Sequence, residues 1–428
     1  MRPAWESGLR GRVYALGRRL TPLSWRRALR RRMRPERLLG IRKPEPEAVW
    51  SPAQPGPTRS GREDVVVLPV IAWSYRRQRP QQLAEALARR GRRVFYGSVQ
   101  GMGEPSEPTG AGPGVTLLPI AGALREDLPD RRLVDRALEK ALGGLAASRE
   151  RFRIAEAVLL VQSPFWAPLA AALRERFGWR VIYDCLDAHE GFRANRPRVL
   201  AEAERELAVS ADLVVATSET LRRRMESWNP SSRLLPNACD FELFGAVPPP
   251  SACEPLAVGY AGAVDEWFDT ELVDRLAALA PDWRFEIVGG VEGAARPPAP
   301  RANVVLHGER PHREMPAFRA RFGVEIIPFR LSPLTHATDP VKLYEAAAAG
   351  RMVVATPMDS LQAFARRGVV RLATTAEEFV REISAAAAER ASAAPRQRAF
   401  ALENTWDIRA STLDSWIGNM PRRTAAAT

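Results

Sequence analysis

The segment His336–Thr356, HATDPVKLYEAAAAGRMVVAT, holds the side chains best spaced for chemistry. Asp339-Pro340 opens a predicted helix, with Asp339 outside it and Pro340 in its first turn, where a missing N–H costs nothing. Lys342 and Glu345 stand three apart and so share one face of that turn. A helix N-terminus offers unpaired N–H groups and the positive end of its dipole to a phosphate. Lys342 adds a point charge, and Glu345 can accept two ribose hydroxyls. Ala346–Ala349 and Gly350 permit close packing against the next strand. The same KxxE spacing also fits a plain solvated ion pair. Other chemistries find less support. The four histidines (189, 307, 312 and 336) contain no HxxxH pair, and Cys185, Cys239 and Cys253 contain no CxxC, so no metal site is expected.

The elements that would position this segment follow from the pattern of apolar runs. Strands are expected at Val65–Ala72, Arg93–Tyr96, Val115–Pro119, Ala157–Gln162, Arg180–Asp184 and Leu213–Thr217, with helices between them. After the Pro-rich segment VPPPSACEP (247–255) the pattern restarts, with strands at Leu256–Ala261, Arg284–Val288, Val304–Leu306, Val324–Ile327 and Met352–Thr356. Uninterrupted Val/Ile/Leu strands alternating with helices indicate parallel sheets covered on both faces. The fold class is therefore α/β, as two doubly wound Rossmann-like domains facing a cleft. The boundaries read as a basic amphipathic arm (1–43), a Pro-rich linker (44–62), an N-terminal domain (63–246) and a hinge (247–255). A C-terminal domain (256–399), a crossover helix (400–418) and a tail (419–428) complete the chain. In the last helix, Phe400, Leu402, Trp406, Ile408, Leu413 and Ile417 form an apolar stripe suited to docking back on the N-terminal domain.

Several of these segments, in order, resemble one family. The run DPVKLYEAAAAGRMVVAT is similar to the donor segment N-P-x-K-x-x-E-Y-x-A-x-G-x-P-V-V of retaining glycosyltransferases with the GT-B fold. The likeness is strongest to the branch related to teichuronic-acid and exopolysaccharide synthesis. Trp73–Ala84 (WSYRRQRPQQLA) resembles W-x-x-R-x-Q-R-P-Q-x-L-A, and Tyr183–Asp187 (YDCLD) resembles Y-D-x-x-D. Ser210–Ser218 with Leu235–Asp240 (LPNACD) resembles A-D-L-V-x-x-T-S … P-N-G-V-D, and Gly259–Asp269 (GYAGAVDEWFD) resembles G-Y-x-G-x-I-x-x-W-F-D. The matches span about residues 65–410.

The resemblance implies that Glu345 holds the donor ribose and that Lys342 supports the diphosphate or sugar. It also exposes departures. Broader relatives carry a second Glu eight positions before the ribose Glu, where this chain has Ala337, so the loop Thr335–Asp339, with Thr338 and Asp339, is left to supply sugar contacts. Asp339 replaces an Asn, and the Arg and Lys that many relatives carry after the first strand of the second domain are missing beyond Gly262. Arg76, Arg77 and Arg79 are the candidates to meet the diphosphate instead, since guanidinium forks suit phosphate oxygens; a solvated loop is the plainer alternative. Gly262 either admits the diphosphate to the backbone or only shapes a turn. Asp184, Asp187, His189 and Glu190 follow a strand on the cleft side; Asp187 is the candidate to orient or deprotonate an acceptor hydroxyl, or else is a structural carboxylate. Asn237 and Asp240 are expected to shape a turn, and Trp267 and Phe268 to pack.

Charge is uneven along the chain. The 428 residues carry a net +13, yet residues 1–43 alone hold thirteen arginines and Lys43 against Glu6 and Glu36, a net +12 that leaves +1 for the rest. A body-wide electrostatic footprint for nucleic acid is thus unsupported. Trp25, Leu29 and Met33 lie at i, i+4 and i+8 among arginines, which suits an anionic membrane surface; a disordered extension or a mis-assigned start is the alternative. No long apolar stretch is present and no secretory signal is recognisable, so a cytoplasmic protein, peripheral on the inner face of the membrane, is expected.

Together these readings describe a retaining, metal-independent hexosyltransferase with a nucleotide diphosphate sugar as co-substrate and no other cofactor. The expected acceptor is a cell-envelope or extracellular polysaccharide, saccharide or polyprenyl-linked. The alternatives are a nucleotide-sugar epimerase of the same fold and a non-catalytic membrane-associated scaffold.

Overall fold

A computed structural model describes residues 51–52, 62–100, 106–124, 132–192, 197–248, 255–293 and 295–422. The basic arm 1–43 lies outside the described residues, as do most of the 44–62 linker and residues 249–254 of the second Pro-rich segment.

The first domain runs β1 (Ser51–Pro52), β2 (Asp64–Leu68), α1 (Arg79–Arg89), β3 (Val94–Gln100), β4 (Thr109–Gly112), β5 (Val115–Leu124) and α2 (Asp135–Arg151). It continues with β6 (Ala157–Val161), α3 (Ala167–Phe177), β7 (Arg180–Cys185), α4 (Pro197–Ser210), β8 (Leu213–Ala216), α5 (Glu219–Glu226), β9 (Ser232–Leu234) and α6 (Phe241–Gly245). The nine strands are ordered β1-β4-β5-β3-β2-β6-β7-β8-β9. From β5 to β9 every neighbour is parallel; β4, in a Gly/Pro-rich stretch, and β1, in the segment read from sequence as a linker, add an antiparallel margin. Strands such as Val65–Leu68 and Ala157–Val161 are buried along their whole length, as helices on both faces require.

The second domain repeats the scheme with β10 (Ala257–Ala261), α7 (Thr270–Leu279), β11 (Arg284–Val288), β12 (Val304–Gly308), α8 (Met315–Arg321), β13 (Val324–Ile327), α9 (Pro333–Ala337) and α10 (Val341–Ala348). It ends with β14 (Met352–Ala355), α11 (Gln362–Arg366), β15 (Val370–Leu372), α12 (Ala376–Leu402) and α13 (Trp406–Asn419). Its six strands, β12-β11-β10-β13-β14-β15, are all parallel. Strand order reverses between β2 and β6 in the first sheet and between β10 and β13 in the second. Ligands bind beyond the carboxyl ends of strands at such reversals. Here the two sets of carboxyl ends face each other, because Arg76, after β2, reaches Glu292 after β11 and Glu309 after β12.

Local chemistry starts the helices where the sequence places polar caps. Ser218, Asp269, Thr375 and Thr405 each accept a hydrogen bond from a backbone N–H three residues on. The expected final amphipathic segment is divided at Thr405. Phe400 stays in the second domain, stacked on Tyr344 at 5.7 Å, and Leu402 is exposed. Helix α13 then docks on the first domain. Trp406, Ala410, Leu413 and Ile417 join Leu83 and Leu87 of α1 in one apolar cluster, each buried large side chain contributing about 1.5–3 kcal/mol. Arg92 pairs with Asp414 at 2.5 Å, and Arg180 donates to the Met420 and Ile417 carbonyls. Ile408 is exposed and takes no part in the docking. Among the described residues no helix is long and apolar enough to cross a membrane.

Candidate active site at the facing strand ends

Helix α10 begins beside the reversal in the second sheet. Pro340 is its N-cap, with extended backbone, and Lys342 and Glu345 follow on one face. The ammonium of Lys342 lies over the rings of Phe329 at 4.9 Å and Tyr260 at 5.3 Å, directly under Gly262. Burial pushes Lys342 down to about 8, against the pull of the Glu345 charge. Gly262 has φ +152° and Gly289 φ +151°, and their chains run so close that a β-carbon on Gly289 would lie 1.9 Å from the Gly262 carbonyl oxygen. Two glycine-lined strand ends and a cationic side chain thus form one narrow floor.

Glu345 is held from below. Its Oε2 accepts from Arg319 Nη2 at 2.7 Å, and its Oε1 lies 3.3 Å from His312 Nε2. Arg319 is fully buried, also pairs with Glu325 in β13, and lies 5.2 Å from the Phe244 ring centroid. Burial alone would raise the Glu345 carboxyl. The His312 hydrogen bond and the Arg319, His312 and Lys342 charges outweigh it and hold the group below the usual glutamate range. It is therefore an ionised acceptor, suited to hydroxyl donors.

The remaining residues singled out from sequence fall at separate places. Arg79 is buried, donating to Asp184 at 2.8 Å and to the Leu235 and Pro236 carbonyls. Arg77 turns back to Glu85 on α1. Both arginines are thereby taken up within the first domain, and Arg76 is the one that crosses to the second. Asp339 is also buried. It accepts from the Asn237 amide at 2.7 Å and from Tyr344 Oη at 3.0 and 3.1 Å, so its carboxylate joins the domains rather than facing the glycine floor. Burial pushes it up to about 6. Asp187 follows β7; burial first, and then the Asp339 charge, push it up to about 7, with Arg79 and Thr338 pulling the other way. The Thr338 hydroxyl donates to the Leu334 carbonyl at 2.9 Å, while its own carbonyl accepts from Ser360. Trp267 packs between Phe192 of the first domain and Phe329 of the second. Among the described residues no cluster of His, Cys, Asp and Glu is placed to hold a metal ion.

Two family models match the chain in succession: the Glycosyl transferase 4-like domain over residues 77–238 and a Glycosyl transferase-like domain over residues 269–415. The chain carries two glycosyltransferase-family domains, one after the other. TuaH of Bacillus subtilis, described as a glycosyltransferase of teichuronic acid biosynthesis, is 28% identical over 220 residues, 45% of this chain and 54% of its own. The chain thus spans about half the length of the curated relative it matches. Among solved structures, sucrose-phosphate synthase from Thermosynechococcus elongatus superposes with TM-score 0.68 at 17% identity, covering 83% of this chain and 98% of that one. HepE of Anabaena, solved in complex with UDP, gives 0.59 at 13% identity, covering 83% and 99%. These likenesses show the fold.

The chain differs from broader relatives at Ala337 for a visible reason. Helix α9 leans on the first domain, where Leu334 and Ala337 enter the core cluster containing Val161 and Ala188. The Ala337 carbonyl accepts from Ser218. A glutamate here would be buried in an apolar domain contact. Sequence reasoning also missed Arg319, His312 and Glu325. One signal was present: Glu325 interrupts the apolar strand VEII, and a carboxylate inside a buried strand demands a cationic partner.

Proposed function

We propose that the protein transfers a hexose-type sugar from a nucleotide diphosphate sugar to a saccharide acceptor, with retention of configuration and without a metal ion. The observation that carries this reading is the placement of Lys342 under Gly262 with Glu345 one turn along the same helix face. Glu345 accepts the ribose hydroxyls. Lys342, the first N–H groups of α10 and the Gly262 backbone receive the diphosphate, whose charge grows as the bond to the anomeric carbon breaks. The acceptor oxygen bonds to the same face of the sugar, and its proton passes to the departing diphosphate. Thr338 lines the sugar side, and Asp187 orients the incoming hydroxyl through its carboxyl.

Likeness to TuaH supports a cell-envelope or extracellular polysaccharide acceptor, saccharide or polyprenyl-linked. The basic arm 1–43 would bring the enzyme to the anionic inner face of the membrane. Thermal shift against UDP-, GDP- and dTDP-sugars, followed by sugar transfer assays, tests the reading. At least one donor raises the melting temperature by mass action, and Glu345→Ala removes that rise. No response to any donor overturns the reading. Deleting residues 1–43 leaves the donor response intact and abolishes sedimentation with anionic vesicles; retained sedimentation overturns the role of the arm.

A further inference from the structure

Arg76 follows β2 at the strand reversal of the first sheet, and its guanidinium lies 5.3 Å from the Tyr75 ring centroid, yet the carboxylates it pairs with belong to the second domain. Its Nε donates to Glu309 Oε1 at 2.8 Å, and its Nη2 donates to Glu309 Oε2 and to Glu292 Oε1, each at 2.5 Å. The Oε2 of Glu309 also accepts from the Gly290 amide at 3.0 Å. A β-carbon on Gly290 would lie 2.9 Å from Arg76 Nη2. Arg76 is therefore pressed against the backbone that continues from the Gly262–Gly289 floor above Lys342.

The Glu309 carboxylate is gripped as a phosphate would be, by a bidentate guanidinium fork and a glycine amide at a strand end. The arrangement is also unbalanced, with two carboxylates on one guanidinium. Its side chains are 20–34% exposed, so each pair adds about 0–1 kcal/mol to stability. The fold does not depend on this grip.

We propose that Arg76 is a ligand for the donor diphosphate, and that Glu292 and Glu309 hold it as internal competitors until a nucleotide displaces them. The proposal rests on the donor site described above and adds a residue and a regulatory contact to it. A diphosphate brings more negative charge to the guanidinium than either carboxylate and gains Lys342 at the same time. Donor binding then exchanges an Arg–carboxylate contact across the cleft for an Arg–phosphate one. Neutralising either glutamate makes that exchange easier, so removing an acidic side chain should tighten nucleotide binding.

Calorimetric titration of the full chain with UDP, GDP and dTDP in turn tests this. With the nucleotide that wild type binds, Glu309→Gln and Glu292→Gln should each lower Kd several-fold, and Arg76→Met should raise it about tenfold, one hydrogen-bonded charge contact. In an Arg76→Met background Glu309→Gln should change nothing, because no arginine remains to be released. An unchanged or raised Kd in both glutamate variants overturns the competitor role. A Kd unmoved by Arg76→Met overturns the ligand role. Should Glu309→Gln fail to fold, Glu292→Gln, the more exposed of the two, decides alone. A wild-type chain that binds none of the three nucleotides overturns the donor-site reading itself, and this proposal with it.

Discussion

A β-carbon at Gly262 would lie 2.7 Å from Cε and 3.0 Å from Nζ of Lys342. The lysine can reach the end of β10 because the residue there has no side chain and adopts φ +152°, a backbone that other residues enter at a cost of about 1–3 kcal/mol. Gly262→Ala should therefore displace the ammonium and weaken nucleotide binding by about tenfold or more. The protein should remain folded. Calorimetric Kd and circular dichroism on one preparation separate the two effects; an unchanged Kd shows that Gly262 only shapes the turn.

Lys342 carries its charge below about pH 8, the value to which burial lowers it. A cation that receives a diphosphate works while protonated, so kcat/KM should fall on an alkaline limb near that pH. Lys342→Arg should remove the limb, since a guanidinium stays charged above pH 12 or so. A limb that persists in the variant assigns it to another group.

Asp187 and its neighbour Asp339 give a stability signature. Burial raises Asp187 to about 7 from its ordinary 3.8, so the folded chain holds this proton more tightly than the unfolded chain does. The resulting stabilisation is complete below about pH 4 and disappears as pH rises through 7. Asp187→Asn cannot ionise. Its stability relative to wild type should therefore rise by roughly 2–4 kcal/mol between pH 4 and pH 8. Urea denaturation at the two pH values measures the difference, and a constant difference contradicts the shift.

Arg79 and Arg77 should respond very unequally to truncation. Removing the Arg79 side chain leaves Asp184 buried without its charge partner, at a cost of about 3–5 kcal/mol. Arg77→Ala breaks a partly exposed pair with Glu85 and should cost about 1 kcal/mol or less. Equal losses in denaturation midpoints would refute the assignment of Arg79 to the domain interior.

Leu413→Ala tests the return of the chain to the first domain. The residue is fully buried against α1, and its truncation should cost about 2–5 kcal/mol. Leu402→Ala, at an exposed position, should fall within about 0.5 kcal/mol of wild type. Equal effects of the two would show that the boundary between α12 and α13 lies elsewhere.

The sequence by itself determined the alternation of strands and helices, the fully buried strands of two parallel sheets and the helix that carries Lys342 and Glu345. These follow from runs of apolar residues and from caps within a few positions, interactions that a linear pattern contains. Margins were less legible: β4 hides in a Gly/Pro-rich stretch, and the docking stripe from Phe400 to Ile417 straddles a helix break. Tertiary structure alone decided which arginine of a four-residue stretch crosses the cleft. Arg76 meets a carboxylate 233 residues away and Arg79 one 105 residues away, and nothing in their local spacing distinguishes them. It likewise decided that Asp339 ties the domains together through Asn237, that Ala337 fills an apolar contact, and that Glu345 rests on Arg319. Side-chain partners are set by the loops that two separate sheets bring together, and the energy of a buried charge depends on that company far more than on its neighbours in the chain.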